Sequence, residues 1–554
     1  MDAVVKEAAA ALWALPLQST GVVTVLVAVL ALIAFAARKS NDDEPLSLPN
    51  WKGIPFLGNT IQYIVDNGTF IDRAGEYLKT RDIVKFSLGS TPVYLVTGGK
   101  HVQALFRKST SISSDKFLLL VMETIMCFTP EDRAKFENDH TGRLPEPAPG
   151  TAETHKGPRY WLDFHNYNAR TLALTSTTSL LTAKFYDLFR DRVQAYPVGE
   201  WTTVNLQGFM RTKMAGAAIR AMAGNKFLDR VGEDEVLQAF WDYDSVTMRL
   251  MYSLPKWMDP KPWQILDRIH QIAIDWAQKD MDPVLEGKEE AAEGWDPRVG
   301  LKFLREYQRW GKENGLDVKT RAGYFVGLLL GLNGNSIPIA TWALFELVQD
   351  PELLEAVRNE AETAFDTDSS GQRTLDVPRM LTLPLLQSVY VETLRLHVSV
   401  NVTREVVGDV TLGGYKLPKH ALIQAPTWLA HSNEKVWSAE GHPASEFWAY
   451  RHVRYSNTDS DGKGKAEFVM SAGPNDFFPY GGGISMCPGR HFAKQEIMAA
   501  LAIMVTTFDI EMIEWVTMDG KSKSDRPPRD DLTHSGSAAL PPDRDMKVRW
   551  RRRL

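Results

Sequence analysis

An uncharged apolar run near the amino terminus constrains most strongly what this chain can fold into. The run, GVVTVLVAVLALIAFAA, occupies residues 21–37 and, extended back to Leu17, reaches the roughly 20 residues that cross a bilayer as a helix. A cleaved signal peptide carries its positive charge before the apolar run, whereas here Arg38 and Lys39 follow it. Because basic residues stay on the cytosolic side, we expect residues 1–40 to form an uncleaved, single-pass membrane anchor with the rest of the chain in the cytosol.

Prolines at positions 45, 49 and 55 follow the apolar run and prevent the helix from continuing. Residues 41–59 are therefore expected to form a stiff, proline-rich hinge between the anchor and the body. Two glycosylation sequons, which begin at Asn67 and Asn401, offer a test of topology, because a body on the lumenal side could be glycosylated there. We expect both sequons to remain unmodified.

Composition and charge restrict the possible function classes. With 44% hydrophobic and 24% charged residues the chain can form a large core, and its length alone would allow about three domains. The net charge of -6 leaves no basic surface of the kind that nucleic-acid-binding proteins carry, so nucleic acid is excluded as a partner. Two cysteines, Cys127 and Cys487, cannot build a disulfide framework, and a reducing compartment fits this usage.

Hydrophobic periodicity predicts a mainly α-helical body with small β-sheets. Residues 85–99 alternate with β-branched and aromatic side chains between glycines, which indicates a pair of strands. Helical periodicity marks the segments 179–196, 236–254, 263–285, 320–349, 351–365, 383–398 and 491–509. Stretches rich in Pro and Gly at 143–157 and 459–475 are expected to be surface loops.

Cys487 lies between a glycine-rich turn and a predicted helix, in the stretch FFPYGGGISMCPGRHFAKQEI. The unpaired N–H groups and the positive end of the helix dipole favour an anionic sulfur, and thiolate is the form that ligates metals. Glycines on both sides let the backbone approach a flat partner, so the pattern suits an axial haem ligand. Zinc would need further ligands nearby and a P-loop would need Gly-Lys-Ser/Thr, whereas a buried structural cysteine stays open as an alternative.

A long apolar segment, GYFVGLLLGLNGNSIPIATWALFELV, is interrupted by Gly331, Gly334 and Pro338. Because Pro338 lacks the N–H that would bond to the carbonyl oxygen of Gly334, we expect this helix to be broken or kinked there and to form a polar pocket. Asn335 and Ser336 are the side chains that can serve such a pocket. The alternative is a kink that the helix satisfies with its own amides.

Glu392 and Arg395 stand three positions apart in VETLRL, share one helix face and can form an ion pair. Alone, such a pair would be an ordinary surface feature. Its place in the chain argues otherwise, because FWAYRH, which contains Arg451, and then the Cys487 loop follow it in order.

Together these motifs resemble those of the cytochrome P-450 family. The loop matches the family's haem-binding loop through an aromatic residue, Tyr480, the glycines Gly483 and Gly489, and Cys487 itself. The resemblance implies the cytochrome P-450 fold and a haem b whose iron is ligated by the thiolate of Cys487. It also implies a triad that braces the haem-binding core, formed by Glu392, Arg395 and Arg451.

The resemblance carries over to the haem propionates with one departure. Arg404 occupies the place where the family commonly offers a propionate partner. The family often has a basic residue two positions before the cysteine, where this chain has Ser485, so that contact must come from elsewhere. Trp161 or His165, in YWLDFHNYNAR, is expected to supply another contact.

A second departure concerns the oxygen site on the long apolar helix. The family usually carries an acid followed by threonine, which order water and deliver protons to dioxygen, where this chain has Gly334 and Asn335. With Ser336, these residues are our candidates for catalysis. The Asn-Ser-Ile-Pro sequence is similar to the branch that contains cholesterol 7α-hydroxylase and prostacyclin synthase, which includes both a hydroxylase and an isomerase.

The resemblance implies one catalytic domain over residues 60–554 rather than the three domains that length alone would allow. Its expected activity is that of a monomeric monooxygenase of the endoplasmic reticulum membrane, with electrons from NADPH through a separate reductase. Two alternatives remain: an isomerase or dehydratase that acts on a lipid peroxide without a reductase, and a non-catalytic haem-binding membrane protein.

The resemblance places three apolar or small segments around a substrate pocket, at 117–128, 398–402 and 535–539. A lipophilic substrate is therefore expected, such as a steroid, a terpenoid or another secondary metabolite. Cys127, in the first of these segments, is expected to be inert packing.

Overall fold

A computed structural model describes residues 44–49, 58–108, 110–152, 154–369, 371–439, 441–456 and 465–553. The predicted anchor at residues 1–40 and most of the predicted hinge at residues 41–59 lie outside the described residues. Within the described ranges, Val318–Gln349 is the one helix long and apolar enough to cross a membrane, but most of its surface is buried inside the protein. It is therefore the central core helix of the body and is called the long helix below.

The body is mainly helical, as the periodicity predicts. Its α-helices are Thr60–Val65, Asn67–Leu78, Gly99–Arg107, Asp115–Thr124, Pro130–Glu137, Tyr160–Asn166, Thr175–Gln194, Leu206–Phe209, Ala215–Ala223, Asn225–Asp229, Glu233–Asp244, Thr247–Met251, Pro260–Trp276, Asp282–Leu285, Lys302–Glu313, Val318–Gln349, Pro351–Glu362, Val377–Met380, Pro384–His397, Thr427–His431, Glu434–Trp437 and Arg490–Thr507. Short π-helices at Tyr167–Thr171, Met210–Met214 and Ala277–Met281 and 3-10 turns at Gly483–Ser485 and Leu532–His534 complete the helical set.

The strands form small sheets at the edges of the helical body. They are β1 Leu46–Ser47, β2 Ile83–Leu88, β3 Thr91–Val96, β4 Ile112–Ser113, β5 Trp201–Asn205, β6 Trp295–Asp296, β7 Gly300–Leu301, β8 Phe365–Thr367, β9 Arg373–Leu375, β10 Asn401–Val406, β11 Val410–Leu412, β12 Tyr415–Leu417, β13 Leu422–Pro426, β14 Val453–Tyr455, β15 Ala466–Phe468, β16 Phe508–Val516 and β17 Asp545–Arg552. The largest sheet has the order β1-β2-β3-β13-β10-β4, a second sheet has the order β16-β17-β5, and the remaining strands pair in twos.

Every segment with predicted helical periodicity contains a helix, but three of these segments depart clearly from the prediction. The predicted helix 236–254 is two helices, because the chain turns between Asp244 and Thr247. The predicted helices ending at 365 and 509 stop earlier, since Phe365 and Phe508 already belong to strands. Pairing with a neighbouring strand overrides the local helical pattern at both positions.

The predicted strand pair at 85–99 is confirmed as the antiparallel pair β2 and β3, with Lys85 opposite Tyr94. The predicted surface loop at 459–475 was wrong in part, because β15 lies inside it and pairs with β14. The predicted surface loop at 143–157 has no helix or strand among its described residues, but its first side chain, Arg143, is buried.

The long helix is continuous through Pro338, so the predicted break at Gly331, Gly334 and Pro338 was wrong, whereas a kink there stays a prediction. Pro338 removes one hydrogen bond, the one to the carbonyl oxygen of Gly334, and the surrounding buried residues hold the helix together. A glycine is required earlier in the helix, because a Cβ at Gly323 would collide with the backbone carbonyl of Met126. This close contact fixes the position of the helix and of the polar residues it carries.

Both glycosylation sequons begin at asparagines that are buried in the folded body. Asn67 and Asn401 are only 4% and 7% exposed, and the Nδ2 of Asn401 donates to the Oδ1 of Asn67 over 3.1 Å. Since a folded body would shield both side chains on either side of a membrane, unmodified sequons alone would not establish a cytosolic body. An informative sequon must be placed on an exposed residue.

Candidate functional site

Cys487 lies in a tight loop just before the helix Arg490–Thr507. The N–H of Cys487 donates to the carbonyl oxygen of Tyr480 over 3.0 Å and closes the loop. Gly483 has a φ of 64°, and a Cβ there would lie 2.5 Å from the carbonyl oxygen of Phe106. The loop can therefore pack in this way only with glycine at position 483.

The thiol of Cys487 is held beside hydrogen-bond donors. Burial raises its pKa, whereas the N–H groups of Gly489 and Arg490 and the charge of Arg490 act in the opposite direction. The isolated thiol is therefore protonated at neutral pH, and a bound metal ion is what would hold it as thiolate. Cys127 differs, because burial raises its pKa to about 12 and it packs against the hydrophobic core.

Tyr480 connects the Cys487 loop to the rest of the core. Its hydroxyl lies 2.5 Å from the hydroxyl of Tyr390, on the helix Pro384–His397. The same helix carries Glu392 and Arg395, so the loop and these charged residues share one rigid support.

Glu392, Arg395 and Arg451 meet in the interior of the protein, with none of the three side chains exposed. The Nε of Arg395 donates to Glu392 Oε1 over 2.7 Å, and the Nε of Arg451 donates to Glu392 Oε2 over 2.9 Å. Burial alone would raise the pKa of Glu392, but hydrogen bonds from His452 and Arg395 and the charges of both arginines outweigh it and lower the pKa to about 2. The carboxylate is therefore ionised, and the ordinary surface pair considered from the sequence is excluded.

The remaining donors of the two arginines hold the chain that leads to the Cys487 loop. Arg395 donates to the carbonyl oxygen of His431 over 3.0 Å, and Arg451 donates to that of Trp437. Both also bind carbonyl oxygens in the following turn, those of Pro443, Ala444 and Glu446. Since these carbonyls are taken up by buried guanidinium groups, the segment is fixed although it is mostly irregular.

Arg404 is buried and has no carboxylate partner in the described part of the chain. It donates to the carbonyl oxygens of Thr403 over 2.9 Å and Gly482 over 3.4 Å. Burial and the charge of Arg143 lower its pKa to about 10. A buried cation with this environment is a site that attracts an anion.

Arg143 is a second buried cation beside Arg404. Its Nη1 donates to the Oγ of Ser485 over 3.3 Å, its Nη2 pairs with Asp115, and its Nε has no partner among the described residues. The guanidinium stands 4.8 Å from the centre of the Trp161 ring. Two guanidinium groups thus share one partly exposed carboxylate, which leaves positive charge uncompensated.

The other upstream candidates have different surroundings. The indole N–H of Trp161 donates to the carbonyl oxygen of Phe136 over 2.8 Å, so this group is not free to bind an anion. Its ring instead lies against Arg143. His165 lies half-buried in the last turn of the helix Tyr160–Asn166.

One face of the long helix is accessible in the interior. Gly331 is exposed, Leu330 is half-buried and Leu332 is buried, and no atom lies within 4 Å of the position a Cβ would take at Gly331. Asn335, one turn later, is half-buried, and its Oδ1 accepts from the N–H of Ala539 over 3.1 Å. The expected pocket segments 398–402 and 535–539 are paired, since the N–H of Ser399 donates to the carbonyl oxygen of Ala538 over 2.8 Å.

The neighbours of Asn335 are buried against other helices. Ser336 lies beside Glu496 of the helix Arg490–Thr507, where burial raises the pKa of the carboxyl group to about 8. On Gly334, a Cβ would lie 2.8 Å from Oδ1 of Asp244. Of the three predicted catalytic residues, only Asn335 has a side chain that is not buried.

Comparison with known proteins identifies the family. The sequence model of cytochrome P450 matches residues 178–529. The cytochrome P450 monooxygenase calL of Penicillium decumbens is 41% identical over 527 residues, which cover 94% of this chain and 96% of that protein. The chain belongs to the cytochrome P450 family. It is a P450 monooxygenase, as the sequence motifs predicted.

More distant relatives extend the similarity. The cytochrome P450 monooxygenase efuG of Hormonema carpetanum is 26% identical over 532 residues, which cover 90% of this chain and 89% of that protein. The human 7-alpha-hydroxycholest-4-en-3-one 12-alpha-hydroxylase is 28% identical over 344 residues, which cover 59% of this chain and 61% of that protein.

The P450 family implies a haem, and the residues of this structure fit that group. Cys487 offers a half-buried thiol beside helix amides, and Gly331 leaves open space on the long helix. Arg143 and Arg404 supply the uncompensated positive charge that the propionates of a haem require. A haem would account for all of these features: its iron for the thiol, its flat ring for the open space, and its two propionates for the arginines.

Sequence reasoning missed Arg143 and Glu496. Arg143 lies in a Pro- and Gly-rich stretch, which is typical of surface loops, and only its contact with Ser485 shows its place. Glu496 begins a run of buried residues that extends to Thr506, so the helical period could not separate a buried acid from an exposed one. The sequence did offer one indication: Ser485 stands where the family often has a basic residue, so another basic residue had to supply that charge.

Proposed function

We propose that this P450 monooxygenase inserts one oxygen atom of O2 into a lipophilic small molecule, such as a steroid, a terpenoid or another secondary metabolite. The observation that carries the proposal is the half-buried Cys487, whose thiol lies beside the first amides of a helix in a chain of this family. The apolar or small segments around Asn335 support a lipophilic substrate, as does similarity to a relative named as the hydroxylase of a steroid.

The haem would be held by residues from several elements. When bound, it supplies the reductive activation of dioxygen that C–H oxidation requires. Cys487 would ligate the iron, with the N–H groups of Gly489 and Arg490 stabilising the thiolate. Arg143 and Arg404 would pair with the propionates, and the triad of Glu392 with its two arginines would hold the chain before the loop in place.

Asn335, on the long helix, would orient water or substrate. Its Oδ1 is fixed by the N–H of Ala539, so its two amide N–H donors keep a defined direction. Gly331 leaves room beside it. Since an amide does not release protons as a carboxylic acid does, Asn335 positions groups and another residue must deliver protons.

Electrons would come from NADPH through a separate membrane-bound reductase. We propose that residues 1–40 anchor a monomeric enzyme in the endoplasmic reticulum membrane, with the catalytic body on the cytosolic side. The apolar run at 21–37 and the basic residues that follow it support this arrangement.

The first prediction concerns Arg143. Arg143→Gln removes a charge-assisted contact to a propionate, each worth about 1.5–3 kcal/mol, so haem should dissociate about tenfold faster or more. The measurement is the rate of haem transfer from the purified protein to excess apomyoglobin. Ser485→Arg added to this variant puts the cation where the family often has it and should restore slow dissociation.

Arg305→Gln is the matched control, because Arg305 is equally buried but donates only to backbone carbonyls, those of Gly300 and Ala292. Arg305→Gln should retain haem as the unmodified protein does. If Arg143→Gln lost haem no faster than Arg305→Gln, Arg143 would not be a propionate partner.

The second prediction concerns the reaction. With a P450 reductase, steroids and terpenoids that bind the protein should increase NADPH consumption, and the product should contain one oxygen atom from 18O2. Mass spectrometry of the product and absorbance of NADPH measure both. Conversion of a lipid hydroperoxide without NADPH, with no NADPH-dependent product from any binding compound, would instead establish the isomerase alternative.

The third prediction concerns topology. Thr367 is exposed in β8, and Thr367→Asn creates a glycosylation sequon with Asp368 and Ser369. In microsomes this variant should stay unglycosylated, whereas an acceptor tag fused ahead of Met1 should be modified, as judged by an endoglycosidase-sensitive mass shift. Modification at position 367 would place the body in the lumen and refute the proposed orientation.

A further inference from the structure

Asp244 lies against the long helix at the position where that helix has no side chain. It is the last residue of the helix Glu233–Asp244, and it is 8% exposed. Its Oδ1 would be 2.8 Å from a Cβ on Gly334. The absence of a side chain at Gly334 therefore makes room for a carboxylate that a different helix supplies.

The backbone hydrogen bonding of the long helix is incomplete at the same turn. Pro338 has no N–H, so the carbonyl oxygen of Gly334 lacks its usual helical partner. A cavity of about 180 Å³ adjoins this turn, and its lining includes Asp244, Pro338, Thr341, Asp531 and His534. The cavity is polar enough and large enough to hold water.

His534 joins Asp244 to the surface. Its Nε2 lies 3.5 Å from Oδ2 of Asp244, and its Nδ1 lies 3.6 Å from Oδ2 of Asp531. The side chain of Asp531 is 34% exposed, whereas those of His534 and Asp244 are nearly buried. The three groups thus lead from solvent to the turn at Gly334.

The charges around His534 favour its protonated form. Burial alone would lower its pKa, but the nearby carboxylates of Asp244 and Asp531 outweigh it and raise the pKa to about 9. Two further charged side chains line the cavity, Arg211 and Asp543, and Asp543 is already paired with Arg526. At neutral pH His534 therefore carries a proton next to a carboxylate.

We propose that Asp531, His534 and Asp244 form a proton relay that delivers protons from solvent to the turn at Gly334 and so to dioxygen in the active site. The proposal rests on the proposed function, which supplies the electrons from NADPH. The proton on Nε2 of His534 moves to Oδ2 of Asp244 once the 3.5 Å between these atoms shortens to hydrogen-bond distance. Solvent water then reprotonates His534 beside the ionised carboxylate of Asp531, whose pKa is lowered to about 2. Formation of H2O2 consumes two electrons and two protons for each O2, and formation of two H2O consumes four of each.

Glu496 is the other acid near the long helix, on the side of Ser336. Its side chain is fully buried, and its one polar neighbour in the electrostatics of the described residues is the hydroxyl of Ser336. A proton donated from Glu496 has no described route by which it is replaced, whereas the relay through His534 opens to solvent at Asp531. The structure thus favours Asp244 as the proton donor.

The test uses the full-length protein with haem, reductase and NADPH, without a substrate, so that electrons flow only to dioxygen. Asp244→Asn and His534→Gln should each slow NADPH oxidation about tenfold and increase its solvent deuterium isotope effect, because proton delivery becomes limiting. The rate of the unmodified protein should fall as pH rises through about 9, and this dependence should be absent in both variants.

Two further variants separate the relay from damage to the fold. Asp242→Asn is the matched control, because Asp242 is on the same helix but faces outwards and pairs with Arg268. It should behave as the unmodified protein does. Gly334→Asp, combined with Asp244→Ala, moves the carboxylate onto the long helix itself and should restore most of the rate.

An independent readout is the titration of His534 itself. In protein carrying 13C-labelled histidine, reduced and bound to carbon monoxide, the signal that disappears in His534→Gln should titrate with a pKa near 9. Asp244→Asn should lower this pKa, since it removes one of the two carboxylates.

The outcomes are distinct. The relay would be refuted if Asp244→Asn oxidised NADPH as fast as Asp242→Asn does. It would also be refuted if only Glu496→Gln slowed NADPH oxidation and increased its solvent deuterium isotope effect. In both cases the monooxygenase function would stand. If the unmodified protein bound no haem or oxidised no NADPH with any reductase, the proposed function would fail, and the relay with it.

Discussion

The buried charge cluster around Glu392 is the interaction on which the active site depends. Its carboxylate holds two guanidinium groups that are as buried as itself, and these in turn bind the carbonyl oxygens of the chain that leads to Cys487. Removing one partner from such a cluster costs about 3–5 kcal/mol, because a charge is left buried and unpaired. Since the pKa of Glu392 is lowered to about 2, this stabilisation is fully present above about pH 4.5 and is lost as the pH falls towards 2.

We propose that spatial neighbours supply two charges of the family's active site in this chain. Ser485 stands where the family often has a basic residue, and the guanidinium of Arg143 reaches its hydroxyl from another segment. Gly334 stands where the family usually has an acid, and the carboxylate of Asp244 lies against it. In both places a small residue leaves the space that the displaced charge occupies, so the electrostatic requirement is conserved in space although the motif has changed.

The sequence predicted the elements whose signal is local. The helices and the first strand pair were predicted from the spacing of hydrophobic residues. The family was predicted from the order of the motifs around Glu392 and Cys487. Contacts between distant segments could not be predicted, because no local pattern records which loop lies beside Ser485 or which helix end lies beside Gly334. The long helix was expected to break or kink at Pro338, but it continues there at the loss of one hydrogen bond, with most of its surface buried inside the protein.

The most direct measurement of the central claim is the carbon monoxide difference spectrum of the reduced protein. A thiolate ligand predicts a strongly red-shifted Soret band that is kept in Cys127→Ala and lost in Cys487→Ala. A colourless folded protein, or a red-shifted band that survives in Cys487→Ala, would contradict the assignment of Cys487 as the iron ligand.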